Sequence, residues 1–316
     1  MNVLVTGGAG FIGSYVVREL IRAAHTVVAY DIQIARNALD HVLNEAQRSS
    51  VTLVAGDVTD AARITETIRK HEVEAITHIA SPLSAETEDN PPFAIRNMIQ
   101  AQYVILEAAR AAKLRKVVWA SSIGVFGAPG RYPILPLGND APHYPISLYG
   151  ACKSFNEYLS THYTEKYGVD TLGLRFPAVY GAGRMRGAAM YFAHLIENPA
   201  LGLPCRVPMA DAVYNWLYVV DAALLVEQAL RAGKTKTRNF NVSGELASMR
   251  QAVAIIQEWL PDAVFELEPG EYPIVEALDS SVLRDEVGFT PQWPLRKGLL
   301  DSLNFVRTRA GLQPLG

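Results

Sequence analysis

A doubly wound parallel α/β sheet (a Rossmann-type fold) with a smaller, discontinuous C-terminal lobe is the fold this chain predicts, on three observations. Short continuous apolar runs alternate with longer amphipathic ones through the first half. A glycine-rich turn, Gly7-x-x-Gly10-x-x-Gly13, directly follows the first apolar run. After Arg175 the texture changes to short pieces punctuated by glycine and proline. Apolar strands separated by helices imply a parallel sheet covered on both faces.

The elements follow in order. Strands are expected at Asn2–Thr6, Thr26–Tyr30, Val51–Ala55, Ala75–Ile79, Lys116–Ala120 and Thr171–Phe176. Helical patterns lie between them, among them Phe11–Ala24, Ala61–His71, Pro92–Ala112 and Tyr149–Tyr167. Trp216–Leu230 reads as a strand end plus helix returning to the first lobe. The expected division is therefore 1–175 with 213–241 as the dinucleotide-binding domain, and 176–212 with 242–316 as a substrate lobe over the strand ends. Ligands of open α/β sheets bind in that crevice.

Composition narrows the class. At 316 residues, with 49% hydrophobic and 19% charged residues, the chain can bury a substantial core. A net charge of −3 gives no electrostatic footprint for nucleic acid. Neither a basic leader nor a long apolar segment is present, which argues against a signal peptide or membrane span. Cys152 and Cys205 cannot build a disulfide framework, and the histidines form no ligand cluster, so no metal is expected. A soluble cytoplasmic protein is the expectation.

Gly7, Gly10 and Gly13, with Phe11 and Ile12 between the last two, stand between strand and helix. Glycine permits a tight turn and close backbone approach to a pyrophosphate, whose charge meets the helix N-terminal amides. Asp31 ends the second strand, where an acid accepts bonds from ribose hydroxyls and repels a 2′-phosphate, so NAD is expected over NADP. Arg36 lies near in sequence and works against that preference, and Asp31 also reads as a turn residue or cap. Asp57-Val58, after the third strand, reads as an adenine contact or as a plain loop.

Tyr149 and Lys153 stand four residues apart on one helix, sharing a face. An ammonium there favours the phenolate of a group whose ordinary pKa of about 10 makes it a poor base. Ser122, after Ser121 at a strand end, could hold a carbinol oxygen against Tyr149 while hydride passes to a nicotinamide. Taken alone, a Tyr/Lys pair is common and Ser-Ser is a common cap. Their order behind the glycine loop and Asp31 gives them meaning. No G-x-S-x-G elbow surrounds Ser122, which excludes the familiar hydrolase reading.

With these residues in view, the chain resembles the extended branch of the short-chain dehydrogenase/reductase family, the NAD-dependent epimerase/dehydratase group. The matching segments are TGGAGFIG (Thr6–Gly13), HIAS (His78–Ser81), NPPFAIRN ending at Asn97, WASSIGVFG (Trp119–Gly127), YGACK (Tyr149–Lys153), RFPAVYG (Arg175–Gly181), WLYVVDAA (Trp216–Ala223) and GFTPQWPLRKGL (Gly288–Leu299). The resemblance implies a Ser122/Tyr149/Lys153 triad and a tightly held NAD. It also implies cofactor contacts at Ala80, Asn97 and the Pro177–Val179 backbone. Homodimerisation would run through a four-helix bundle from the segments Pro92–Ala112 and Tyr149–Tyr167.

The chain departs from that pattern at the substrate. Nucleotide-sugar enzymes of the group usually carry asparagine where Ala178 stands and Arg-Asp where Tyr214-Asn215 stand. A further arginine expected near Pro269-Gly270 is replaced by an acidic stretch, Glu266, Glu268 and Glu271. A tyrosine cannot supply a charged bidentate donor to phosphate. The group's dehydratases usually place Asp-Glu where Ile123-Gly124 follow Ser122. These differences point to a small sugar-derived or polyol-like substrate. Ser81, Ser84, Ser122, Ile123, Arg184, Arg186 and Trp216 are its candidate contacts, with Tyr214 and Met190 as further wall. Each arginine also reads as a solvated loop residue, and each aromatic as core. Two alternatives stay open: a nucleotide-sugar epimerase with transient oxidation, and an NAD-binding sensor without chemistry.

Overall fold

The computed structural model describes residues 1–34, 38–82, 84–184 and 190–316. Its strands are β1 (Asn2–Thr6), β2 (Thr26–Asp31), β3 (Thr52–Ala55), β4 (Ala75–His78), β5 (Lys116–Ser122), β6 (Thr171–Phe176), β7 (Ala178–Tyr180), β8 (Cys205–Val207), β9 (Val213–Tyr218), β10 (Asn239–Asn241), β11 (Glu245–Ser248) and β12 (Phe265–Leu267). Seven of them form one sheet in the order β10-β6-β5-β4-β1-β2-β3. Every pairing in it is parallel; Val3, for example, sits between Val27 and Ala75.

Continuous apolar runs form these strands because both faces are covered. Val3, Leu4 and Val5 are fully buried, and so are Val117, Val118 and Trp119 in β5. The helix Phe11–Arg22 packs on one face against Val219–Arg231, and the helix Ala101–Ala112 lies on the other with Ala61–Lys70. The strand order reverses between β1 and β4, which opens a crevice at their carboxyl ends.

Three details differ from the sequence reading. β5 runs on to Ser122 because Ser121 and Ser122 still pair with Arg175 and Phe176 of β6. The long helix around Asn97 is helical throughout but widens to a π-turn over Ile95–Gln100 before Ala101–Ala112. The segment 213–241 divides between the two sheets. Its β10 extends the large sheet beside β6, whereas β9 pairs with β7 and β11 in a separate three-stranded sheet. Asp221, at the start of the returning helix, accepts the backbone N–H groups of Gln292 and Trp293 at 2.9–3.0 Å and so ties the tail to it. Among the described residues, no helix is long and apolar enough to cross a membrane, and no group of three or more His, Cys, Asp or Glu could hold a metal ion.

Candidate active site

The glycine turn is built for close backbone approach. Gly7 has φ +70°, and a Cβ on it would lie 2.7 Å from the Ala80 nitrogen. A Cβ on Gly13 would come within 2.0 Å of the Gly7 carbonyl oxygen. Gly10 is the N-cap of Phe11–Arg22 and supplies no side-chain cap, which leaves first-turn amides available to an anion. Asp31 is fixed at the end of β2: one carboxylate oxygen accepts the Ala9 N–H at 3.2 Å, the other the Gln33 N–H at 3.1 Å. It is thus a turn residue and an acid at the mouth of the loop at once. A cradle any side chain would fill, an uncapped helix start and an acid on the adjoining strand together fit a dinucleotide.

Other expected cofactor residues cluster around this loop with varied engagement. Asp57 accepts from the Thr59 N–H and hydroxyl at 2.8 Å and faces Arg96 at 3.4 Å, so its carboxylate already serves its loop. Val58 beside it is half-buried. Ala80 lies against Gly7, while Asn97 on the π-turn donates to the Phe93 carbonyl at 2.9 Å and keeps its own amide oxygen. Arg36 lies outside the described residues.

The second cluster forms where β5 ends and the helix Leu148–Tyr167 begins. Ser147 caps that helix through the Gly150 N–H, placing Tyr149 in the first turn and Lys153 one turn on. Gly150 lets the helix start press on the loop after β5; a Cβ there would lie 2.0 Å from the Gly124 carbonyl oxygen. Ser122 accepts the Gly124 N–H at 3.0 Å, so it is a cap, as well as a hydroxyl beside Tyr149. Lys153 is buried, donates to the Ala120 carbonyl at 2.6 Å and lies 5.5 Å from the Tyr149 ring centroid.

Electrostatics here depart from the sequence expectation. Burial raises the Tyr149 pKa, and the groups opposing that rise are the Ser122 and Ser81 hydroxyls and then the Arg184 charge, not the Lys153 ammonium. Ser81 Oγ is buried without a formed hydrogen bond among the described residues, so its pull acts across a gap. Burial draws Lys153 down to about 8, against the pull of Cys152 and Glu157. Glu157 is itself held by Arg175 at 2.7 Å and Ser121 at 2.6 Å. His78 is pulled down to about 3 by burial and Lys153, and is neutral at physiological pH.

These groups open onto a cavity of about 210 Å³. One wall carries Ser122, Ile123, Gly124 and Tyr149, and Pro177, Ala178 and Val179 form its floor. Ser84 and Arg184 also line it. Arg184 donates to the Val179 carbonyl at 2.9 Å and lies 4.8 Å over the Phe11 ring, so it bridges the glycine-loop helix and the Tyr149 cluster. Its Nε is buried without a partner among the described residues. Arg186 lies outside them.

Further lining comes from later in the chain: Tyr191, Phe192, Tyr214, Tyr272, Ile274 and Glu276. Of these, the sequence reading singled out only Tyr214. Trp216 and Met190 do not line the cavity. Trp216 is 1% exposed, donates its indole N–H to the Ala247 carbonyl at 2.8 Å, and packs edge-on against Phe192 at 4.8 Å and Tyr180 at 5.3 Å. Tyr214 and Trp216 share one side of β9, and the aromatic packing around Trp216 keeps it in the core while Tyr214 lines the cavity. Asn215, between them, donates to the Glu276 carbonyl at 2.8 Å and gives its N–H to the Glu276 carboxylate at 2.9 Å.

A doubly wound dinucleotide-binding fold with a Ser/Tyr/Lys cluster at the carboxyl end of β5 defines a class, the nicotinamide-dependent enzymes built on a parallel sheet. The sequence pattern of the NAD dependent epimerase/dehydratase family matches residues 3–243, and the chain belongs to that family. NAD is accordingly its cofactor and the protein is an enzyme of the extended short-chain dehydrogenase/reductase type. It is 30% identical over 325 residues to a UDP-glucose 4-epimerase of Azospirillum brasilense, spanning 95% of this chain and 90% of that one. An L-threonine dehydrogenase structure from Phytophthora infestans superposes with a TM-score of 0.83 at 26% identity, covering 99% of this chain and all of that one (100%). A Thermotoga maritima UDP-glucose 4-epimerase crystallised with UDP-glucose superposes at 0.85, covering 98% and 100%; at 23% identity that likeness speaks to the fold alone.

Proposed function

We propose that this protein transfers hydride at a secondary hydroxyl of a small sugar-derived or polyol-like substrate, with Ser122, Tyr149 and Lys153 as its catalytic triad. The observation that carries the reading is that cluster opening onto a cavity of about 210 Å³ with no paired arginines for a diphosphate among the described residues. An acidic group on the substrate would meet Arg184, and Arg186 is carried with it as a candidate contact.

In this reading Ser122 holds the carbinol oxygen while Tyr149 takes its proton. The bound NAD supplies the hydride acceptor, held at the glycine turn with Asp31 toward its ribose. Lys153, still largely protonated at neutral pH with a pKa of about 8, holds positive charge one helical turn from the phenol. Burial keeps the Tyr149 proton in place in the free protein, so the neighbouring hydroxyls and cations must offset that cost when the phenol acts as a base.

The test is Tyr149→Phe. Turnover of a polyol panel should fall by about 10²–10⁴, the usual size of a lost acid–base group, with NAD affinity within a few-fold of the parent. Retained turnover would remove the phenol from the reaction. The curated relative at 30% identity favours a second reading, transient oxidation and epimerisation of a nucleotide sugar. Turnover of UDP-glucose without NADH accumulation would select it. A cytoplasmic location and a homodimer belong to the proposal too. The dimer is supported by exposed Phe93, Tyr103, Phe155 and Tyr158 on the helices that would form its bundle, and light scattering at twice the chain mass is the expected result.

A further inference from the structure

We infer that Glu276 is a specificity-determining residue, hydrogen-bonding a substrate hydroxyl remote from the carbon being oxidised. The inference rests on the small-substrate reading above and deepens it by assigning a second anchor in the cavity that Ser122 and Tyr149 also line.

Glu276 belongs to the cavity wall yet is only 7% exposed. Its Oε2 accepts the Asn215 N–H at 2.9 Å, whereas Oε1 is buried with no hydrogen-bond partner among the described residues. Native proteins rarely leave such an oxygen unpaired, and an unpaired group in a cavity wall is where a ligand completes the set. Packing does not call for an acid here. Asn215 fixes the backbone by donating to the Glu276 carbonyl at 2.8 Å and accepting the Gly244 N–H at 2.6 Å. Among the described residues, no ion-pair partner stands beside Glu276. The titratable groups facing it are the phenols of Tyr191, Tyr214 and Tyr272, whose rings pack at tilted angles with centroids 5.1–6.1 Å apart.

The chemistry selects the hydroxyl over the ammonium. Burial pushes the Glu276 carboxyl up to about 8, so at neutral pH it is mostly uncharged and offers one donor and one acceptor. A hydroxyl also does both and meets either form. An ammonium only donates, and would first require ionising a buried carboxyl.

The test uses NAD-loaded protein and calorimetric titration of erythritol, xylitol and D-gluconate, each beside its deoxy and its amino counterpart. The parent protein should bind at least one hydroxylated probe about tenfold more tightly than its deoxy counterpart, the size of one good hydrogen bond. Glu276→Leu should bring that ratio close to one. Glu276→Gln, which keeps both a donor and an acceptor at the position, should retain part of it. A ratio unchanged in Glu276→Leu overturns the inference, as does preference for an amino counterpart. Equal weakening of every probe together with NAD would show a merely structural role and overturn it too. If no probe binds the parent protein, the small-polyol reading falls and this inference with it, whereas a hydroxyl preference indifferent to Glu276 sinks this inference alone.

Discussion

The two walls of the cavity are made by different means. The sheet-side wall is assembled from contiguous pieces: Ser122 ends β5, and Tyr149 and Lys153 share one helix whose first turn Ser147 caps. The lobe-side wall gathers Tyr191, Tyr214, and the pair Tyr272 and Glu276 from three separate segments, joined through Asn215 and tilted ring contacts. One wall is local in sequence and shares its pattern with a large family. The other is long-range, drawn from positions between 191 and 276. On the proposed reading, reaction type resides in the first wall and substrate choice in the second.

The comparison can be broken on either side. The largest effect is expected at the glycine turn, where Gly13→Ala drives a methyl into the Gly7 carbonyl. NAD affinity should fall at least about a thousandfold, roughly 4 kcal/mol, in a fluorescence titration. A modest loss would mean the loop can open without cost, and the cradle would lose its claim to rigidity.

On the lobe side, Glu276 should make stability depend on pH. Its folded-state pKa, about 8, is raised above the ordinary 4.5. The folded form therefore holds a proton that the unfolded chain releases between those values. That contribution is fully present below about 4.5 and is lost as pH rises through about 8. Denaturant unfolding across that window should show a decline on the order of 5 kcal/mol that Glu276→Gln flattens. Identical slopes in both proteins would mean that the carboxyl is solvated or paired.

The smallest effect separates wall from core. Trp216→Phe removes the indole bond to Ala247 and should cost about 1 kcal/mol of stability with kcat/KM unchanged, measured by thermal unfolding beside steady-state kinetics. A shift in substrate preference would put Trp216 back at the site.

The same contrast explains what was legible in the sequence. The strands of the large sheet could be read because burial on both faces leaves uninterrupted apolar runs, as in Val3–Val5 and Val117–Trp119. The seventh strand, Asn-Phe-Asn, is too short and polar to give that signal. The Tyr149/Lys153 spacing was legible because a helix converts four residues into one face. The cation acting on Tyr149 was not. Arg184 follows a loop, and only the fold brings it over Phe11 and near the phenol. Glu276 carried no pattern at all, standing in an apolar stretch where a core residue would be expected. Its one visible trace was the unusual Tyr214-Asn215 pair, whose asparagine turns out to hold it.

Gly150 and Gly124 meet backbone to backbone, and their contact fixes how far the helix bearing Tyr149 stands from the loop bearing Ser122. The spacing of two hydroxyls is thus governed by an atom that neither residue possesses. A relative could keep serine, tyrosine and lysine intact and still be idle if one methyl group intervened between those backbones.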